Sequence, residues 1–156
     1  MARESQVVYV VAKAPRAGES KTRLCPPLTA GQAAALAEAF LGDVLAVVRH
    51  ARCQARVICR SAAERRALAR LVGGAASVRV QDGAGLGAAL ESAFWQGLAD
   101  GFGAVGVLGS DSPTLPPLLL RQAFRAIERG ADVALARHYA ATGGTPALAD
   151  AGLHLA

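Results

Sequence analysis

Continuous apolar runs alternate along the chain with segments whose apolar residues keep a helical spacing. The run "QVVYVVA" at residues 6–12 is typical of a strand that is covered on both faces. Thr29 and Gln32 predict a capping box in front of "AAALAEAFLGDVLAVV", which has the apolar spacing of a helix. The same alternation predicts further strands and helices, the strands at 55–59, 77–81, 103–109 and 132–136 and the helices at 62–72, 87–98 and 116–129.

Glycine and proline mark where these elements begin and end. Gly73 and Gly74 are expected to end the helix at 62–72, and Gly130 the helix at 116–129. Thr114 is expected to cap that last helix, because prolines are tolerated in a first turn. The pattern dissolves after residue 137 in "RHYAATGGTPALADAGLHLA", for which a half-formed strand and an ordered tail both stay open.

Five predicted strands separated by four helices indicate an α/β fold of three layers around a mostly parallel sheet. The length of 156 residues is that of a single domain, which we expect to span residues 1–156. Parallel strands joined by helices place all their carboxyl ends at one edge of the sheet. Ligands of such sheets bind outside that edge.

Composition narrows the class of protein. Charged residues make up 19% of the chain and hydrophobic residues 53%, which excludes a disordered chain. Three cysteines, at 25, 53 and 59, are an odd number without metal-ligand spacing and argue against a disulfide framework. The first apolar run is too short to span a membrane and no signal-peptide pattern precedes it, so we expect a cytoplasmic protein without a membrane partner.

The net charge of +5 raises the question of nucleic-acid binding. Most arginines fall at polar positions of the predicted helices, and no aromatic residues are interleaved with them for base stacking. A solvated arginine-rich surface is therefore favoured over a nucleic-acid groove. One cluster differs, because Lys13, Arg16, Lys21 and Arg23 lie within eleven residues and include both lysines of the chain.

That cluster lies in "AKAPRAGESKTRL", directly after the first predicted strand. Cations at this position predict a phosphate site, and a surface loop whose cations are merely solvated is the alternative. The loop is not a P-loop, because Pro15 and Ser20 stand where that motif needs glycines. It is not a dinucleotide fingerprint either, since Gly18 is its one glycine.

Two further segments follow strands at the same predicted edge. "QDGAGLGAA" places Gly83, Gly85 and Gly87 before a helix, where glycines allow a ligand to approach the backbone closely. A plain turn is equally consistent with this segment, and Asp82 is either functional or a residue that flanks the helix. "GVLGSDSPTLPP" places Asp111 where a buried strand meets a loop.

A carboxylate at a strand end can bind Mg²⁺ or Mn²⁺ and bridge the metal to phosphates. Asp111 could instead cap a turn, or Ser110 or Ser112 could be a nucleophile. "GSDSP" is not the G-x-S-x-G nucleophile elbow, and no histidine stands in a recognisable relation to a serine. The metal and the turn cap therefore remain the two hypotheses for Asp111.

The three segments "AKAPRAGESKTRLCPPLT", "QDGAGLG" and "GSDSPTLP" closely resemble, in order and spacing, a bacterial family of glycosyltransferase-A-like proteins of unknown specificity. More remotely they are similar to guanylyltransferases that act on molybdopterin and phospholactate. The resemblance covers roughly residues 6–136. It implies a Rossmann-like nucleotide-diphospho-sugar transferase (GT-A) fold, with a nucleotide-sugar or NTP donor over the strand ends and a small-molecule acceptor of unknown identity.

The resemblance also assigns roles to residues of this chain. It implies that the phosphates of the donor face Lys13, Arg16, Lys21 and Arg23, and that Lys21 takes part in catalysis together with Asp111. It implies that Asp82, Gly85 and Gly87 approach the nucleoside. Asp111 would hold the Mg²⁺ or Mn²⁺.

The chain departs from the family after the last predicted strand. Relatives carry "DGGY" there, whereas this chain has "TGGTP", with Thr142 in place of the aspartate and Thr145 in place of the tyrosine. The C-terminal part is also expected to be abbreviated. Two function classes therefore stay open: a metal-dependent glycosyl- or nucleotidyltransferase, and a nucleotide-binding module or degenerate enzyme without turnover.

Overall fold

The computed structural model describes residues 6–136 and 148–149. Its helices and strands follow the predicted order closely. The strands are β1 (Gln6–Val11), β2 (Gln54–Cys59), β3 (Ser77–Val80), β4 (Ala104–Gly109), β5 (Leu135–Ala136) and β6 (Leu148–Ala149), and the helices are α1 (Ala30–His50), α2 (Ala62–Val72), α3 (Gly85–Ala99) and α4 (Pro117–Glu128).

Four strands form one parallel sheet in the order β3-β2-β1-β4. β1 pairs with β2 from Val7 to Val11 and with β4 along its whole length, so that Val11 lies opposite Gly109. Because every pairing is parallel, the carboxyl ends of β1, β3 and β4 lie at one edge of the sheet. The predicted α/β architecture and the common edge of the three loops are confirmed.

Alternate residues of β1 face two separate cores, which makes the domain three-layered. Val8 and Val10 pack with buried residues of α1, α2 and α4 on one face of the sheet. Val7 and Tyr9 pack with Ala93 of α3 on the other face. Both faces of β1 are therefore covered, and this is why its sequence is continuously apolar.

α1 begins with the predicted capping box, in which Gln32 N–H donates to Thr29 Oγ1 and Thr29 N–H donates to Gln32 Oε1. By length and composition, α1 is the one helix in the described part of the chain that could cross a membrane. Core helices pass the same test, and here Val44 and Val48 are fully buried in the core on that face of the sheet.

Two predictions about the C-terminal half are wrong. The fifth strand does not extend the parallel sheet, because Leu135–Ala136 instead forms a short antiparallel ladder with Leu148–Ala149. Thr114 does not cap α4, whose N-cap residue is Pro116 and which begins at Pro117. Proline suits the first turn of a helix without a side-chain cap, because its missing N–H would have no helical partner. Gly73 and Gly130 end their helices at positive φ, as predicted.

A buried guanidinium ties α3 to the sheet. Arg56 of β2 donates a hydrogen bond of 2.9 Å to the hydroxyl of the fully buried Tyr9 and forms an ion pair with Asp100, the C-cap of α3. Asp100 also accepts from Arg79 of β3 at 3.1 Å. The Arg56 guanidinium lies 4.9 Å from the ring centre of Phe102. These contacts fix the C-terminal end of α3, so its N-terminal end is held at the opposite edge of the sheet.

Gly97 allows α3 to lie close to the sheet. A Cβ at this position would lie 2.5 Å from Cγ2 of Val105 and 3.3 Å from the Tyr9 ring. We expect Gly97→Ala to lower the free energy of unfolding by about 1–3 kcal/mol, since valine is stiff and the core is closely packed. Gly42→Ala is the matched control: Gly42 also lies in a helix, its Cβ would meet open space, and the change should stabilise by about 0.5–1 kcal/mol. Equal effects in chemical denaturation would contradict this packing.

The Asp100 carboxylate makes stability depend on acid. Its hydrogen bond and charge interaction with Arg56, together with Arg79, lower the pKa of Asp100 below its ordinary value of 3.8. The stabilisation is therefore present in full above pH 3.8 and is lost as the pH falls through the lower pKa of the folded state. Asp100→Asn should be less stable than the parent at neutral pH, and the two should converge in acid. A difference that persists unchanged to low pH would mean that the charge is not responsible.

Candidate functional site

The strand order of the sheet reverses between β1 and β4. The chain proceeds outward from β1 to β2 and β3, and then returns to place β4 on the other side of β1. The loops that leave β1 and β4 diverge from this point at the carboxyl edge, and such a switch point is where open α/β sheets bind ligands. The loop after β1, which carries the cation cluster, and the loop after β4, which carries Asp111, therefore start side by side at this edge.

The cationic loop, residues 12–29, is ordered by its own backbone. Ala12 and Ala14 are buried and anchor its start, while Lys13 between them is exposed. The backbone N–H of Ser20 donates to the carbonyl of Arg16, and the Ser20 hydroxyl accepts from the N–H of Arg16 at 2.9 Å. The side chains of Arg16 and Arg23 are left exposed to solvent.

Lys21 is the one lysine of the loop with a defined place for its ammonium group. Its backbone is held in the left-handed region at φ 48°, which is uncommon for a residue with a Cβ. The Nζ atom lies 4.3 Å from the centre of the Phe40 ring on α1 and donates to Oδ1 of Asp111 at 2.7 Å. The Lys21 side chain is only 15% exposed, so its charge is held in one position beneath an open surface.

Asp111 lies two residues beyond the end of β4. The preceding Ser110 N–H donates to the carbonyl of Val11 at 3.2 Å, which continues the β1–β4 pairing by one more bond. The Asp111 side chain is 79% exposed, although it accepts a hydrogen bond from Lys21, which lies 90 positions earlier in the chain. The carboxylate is thus fixed at the switch point and still accessible to a ligand.

The glycine loop after β3, residues 81–87, is built by two polar side chains. Gln81 is buried and its amide donates to the carbonyls of Gly83 and Gly85. The Ser92 hydroxyl accepts from the backbone N–H of Asp82 at 2.8 Å, which leaves the Asp82 side chain exposed. α3 follows with Ala84 as its N-cap and no side-chain cap, so its first backbone N–H groups face a surface free of a capping group.

The two glycines of the predicted site, Gly85 and Gly87, differ in whether the backbone requires glycine. Gly85 has φ +88°, a conformation that residues with a Cβ rarely adopt. Gly87 has no such φ, and a Cβ there would meet no atom within 4 Å apart from its chain neighbours and the backbone of its own helix. Packing therefore does not require glycine at 87, and the open space above it is available for close approach by a ligand.

The structure thus brings Lys21 and Asp111 into contact and places Lys13, Arg16 and Arg23 in the same loop as Lys21. It does not bring the glycine loop next to Asp111, because β2 and β1 lie between β3 and β4. Three strand spacings separate the two by about 14 Å. A ligand that touches both loops must therefore be extended along the edge of the sheet.

The residues present are consistent with one way of holding a divalent metal. The described residues contain no group of three or more His, Cys, Asp or Glu side chains that could bind a metal by themselves. Mg²⁺ is commonly held by one or two carboxylates together with substrate phosphates and water. The exposed carboxylate of Asp111 suits this shared coordination, in which the metal arrives with a phosphate ligand.

Phe40, Gln81 and Ser92 are the residues of the site that sequence reasoning missed. Phe40 has the spacing of a core residue, and its contact with Lys21 depends on how α1 is oriented relative to the loop. Gln81 and Ser92 are polar residues at buried positions. The signal that could have found Gln81 is a glutamine at the end of the predicted strand at 77–81, because a buried amide needs acceptors nearby. Thr142 and Thr145, where the chain departs from its relatives, lie outside the described residues.

The contact between Lys21 and Asp111 should contribute little to folding. Because Asp111 is mostly exposed, the coupling energy of the pair should be about 0.2–1 kcal/mol and should decrease with added salt. A double-mutant cycle of Lys21→Met and Asp111→Asn, read as free energies of unfolding, measures it. A salt-independent coupling of several kcal/mol would assign the pair to the fold instead of to ligand binding.

Two solved structures are similar to this chain to different degrees. A crystal structure described as that of a "putative nucleotide-diphospho-sugar transferase" from Desulfovibrio desulfuricans G20 superposes with a TM-score of 0.73 at 24% identity. The match covers 80% of this chain and 55% of the other, so this chain spans about half the length of that protein. The structure of Rv0371c from Mycobacterium tuberculosis H37Rv matches 82% of this chain and 63% of its own at 22% identity, with a TM-score of 0.48.

The first of these likenesses establishes the fold, a mostly parallel α/β sheet of the kind found in that structure. No curated protein matches the sequence. The model of the bacterial family DUF2064, described as "Uncharacterized protein conserved in bacteria", matches residues 44–144. That match covers α2, α3, α4, the glycine loop and Asp111, and the chain therefore belongs to the DUF2064 family.

Proposed function

We propose that this protein is a metal-dependent transferase that takes a nucleotide sugar or an NTP as donor. The observation on which the proposal rests is the contact of Lys21 Nζ with Asp111 Oδ1 at the switch point of the sheet. It joins a cation suited to phosphate with a carboxylate suited to a divalent metal at the position where such sheets bind nucleotides. The fold shared with the transferase structure supports the same conclusion.

The cationic loop would bind the phosphates of the donor. Lys21 is held in place by Phe40 and Asp111, so its charge needs little rearrangement to meet a phosphate oxygen. Lys13, Arg16 and Arg23 are exposed and would add charge around the same group. Bound Mg²⁺ or Mn²⁺ would neutralise phosphate charge, and Asp111 is the residue that would hold it.

The glycine loop would receive the nucleoside. Asp82 is exposed there, Gly85 provides the backbone turn, and the open space above Gly87 admits a flat group close to the helix. The separation of about 14 Å between this loop and Asp111 suits an extended donor with the nucleoside at β3 and the phosphates at β1 and β4.

Two reactions are compatible with this arrangement. In glycosyl transfer an acceptor hydroxyl oxygen attacks the anomeric carbon, the bond from that carbon to the phosphate oxygen breaks, and the nucleoside diphosphate leaves while the hydroxyl proton is lost to a base or to water. In nucleotidyl transfer an acceptor phosphate oxygen attacks the α-phosphorus and pyrophosphate leaves. Both leave charge on phosphate oxygens, which Lys21 and the neighbouring cations would stabilise.

A nucleotide-binding module without turnover is the second candidate. It is favoured by the metal-ligand set, since the described residues offer no cluster of three metal-binding side chains. The phosphate and nucleoside subsites would be the same in that case. The two candidates differ in turnover and agree on binding.

Thermal denaturation with a panel of nucleoside diphosphates and nucleotide sugars tests the binding claim. With Mg²⁺, a ligand at 100 times its Kd should stabilise the protein by about 2.7 kcal/mol. For a domain of this size the melting temperature should then rise by about 5–11 °C. EDTA should reverse most of the shift. Asp111→Asn should abolish its metal dependence without unfolding the protein, because the side chain is exposed.

Two variants separate the subsites in the same measurement. Lys21→Ala should weaken diphosphates more than the corresponding nucleosides, whereas Gly87→Ala should weaken both and leave the free protein at least as stable. Arg66→Ala is the charge control, because Arg66 is exposed on α2 and belongs to none of the three loops. No shift with any nucleotide at millimolar concentration would overturn the proposal, and a metal-dependent shift without donor turnover would select the binding module.

A further inference from the structure

A second cationic region lies at the amino edge of the sheet, opposite the candidate active site. A cavity of about 610 Å³ opens there between the first residue of β1, the end of α1 and one face of α4. The length of β1 places it about 17 Å from the carboxyl edge. Its polar side chains are Gln6, His50, Arg52, Arg121, Arg125 and Glu128.

Three arginines converge on this cavity from two elements that are distant in sequence. Arg121 and Arg125 are one helical turn apart and share a face of α4. Arg52 reaches the cavity from the turn that joins α1 to β2. Arg121 donates to the backbone carbonyl of His50 at 3.2 Å, which links the two sides of the cavity.

None of these three guanidiniums forms an ion pair with a carboxylate in the part of the chain that the structure describes. Glu128, the one acidic side chain among the described residues that line the cavity, instead accepts a hydrogen bond of 2.8 Å from the amide of Gln6. Three positive charges against one negative charge leave an excess of two positive charges, with His50 counted as neutral. His50 Nδ1 is hydrogen-bonded to the backbone carbonyl of Ala46 at 2.7 Å, so Nε2 is the remaining polar atom of the ring.

Arg52 adds an independent feature. Its backbone is held in the left-handed region at φ 64°, at a turn where glycine would be the ordinary choice. Lys21 and Arg52 are the two non-glycine residues with positive φ in the described part of the chain, and each is a cation at a cluster of cations. Strained backbone of this kind gathers at ligand sites, where the side chain is needed.

From these observations we propose that the amino-edge cavity is a binding site for a small molecule that carries phosphate groups, separate from the donor site. Its volume lies within the range of small-molecule sites, and among the described residues no Phe, Tyr or Trp side chain lines it, which disfavours a nucleic-acid groove. Guanidinium groups bind phosphate through paired hydrogen bonds, and a phosphate group offers three acceptor oxygens to three arginines.

Calorimetric titration with inorganic pyrophosphate, in EDTA to suppress metal-dependent binding at the donor site, tests the proposal. Replacing both exposed arginines in Arg52→Gly/Arg125→Ala should weaken binding at least about tenfold, because each forms charge-assisted hydrogen bonds. Glycine suits the backbone of residue 52, so this variant should fold. Arg125→Lys, which keeps the charge and loses the planar group, should weaken binding by less.

Arg66→Ala/Arg70→Ala is the matched control, since it removes two exposed arginines of α2 that do not line the cavity. It should bind pyrophosphate as the parent does. An equal loss of pyrophosphate affinity in this control would show that net charge alone causes the effect. A loss of affinity in Lys21→Ala alone would show that pyrophosphate binds at the carboxyl edge instead. Citrate bound as tightly as pyrophosphate would contradict the assignment to phosphate. Any of these results, or no binding to the parent, would overturn the proposal.

Discussion

The parallel pairing of β1 with a strand on each side is the constraint on which the rest of this structure depends. β2 occupies one side of β1 and β4 the other, although more than forty residues separate β2 from β4 in the chain. This arrangement buries β1 from Gln6 to Val10, and the loops after β1 and β4 leave the sheet next to each other. Lys21 and Asp111 meet because of that pairing, and their contact adds to a site that the sheet has already created.

The helices serve the same edge in different ways. α1 supplies Phe40 beneath the Lys21 ammonium group. The C-terminal end of α3 is held by the ion pair of Arg56 and Asp100, and α3 lies close to the sheet at Gly97. The first turn of α3, at the carboxyl edge, has no side-chain cap. The buried groups of the domain lie in the two cores and around Arg56, whereas the candidate site consists largely of exposed groups. Substitutions at the site can therefore change binding without unfolding the protein.

Much of the fold could be predicted from the sequence because local signals and tertiary structure agree. The apolar run at 6–12 reports a strand buried on both faces, and Thr29 with Gln32 reports a helix start that depends on four residues alone. The fifth strand was placed in the wrong ladder because a short apolar run does not indicate its partner. The N-cap of α4 is Pro116, two residues beyond Thr114, because spacing does not specify the residue at which a helix begins.

The candidate site could be predicted at the level of loops and not at the level of contacts. Motif spacing and the rule for strand ends brought the cationic loop, the glycine loop and Asp111 to one edge. The pairing of Lys21 with Asp111, the support from Phe40 and the distance of β3 from β4 depend on strand order, which spacing does not specify. The arginine cavity was missed for the same reason, because Arg121 and Arg125 have the spacing of solvated helix residues and meet Arg52 only in the folded chain.

The most direct test of this account is a crystal structure of the protein with a nucleoside diphosphate and Mn²⁺, in which anomalous scattering locates the metal. We expect a manganese peak at the Asp111 carboxylate, phosphates beside Lys21, and the nucleoside over Gly85 and Gly87. A nucleotide bound at another surface, or a metal site that does not include Asp111, would contradict it.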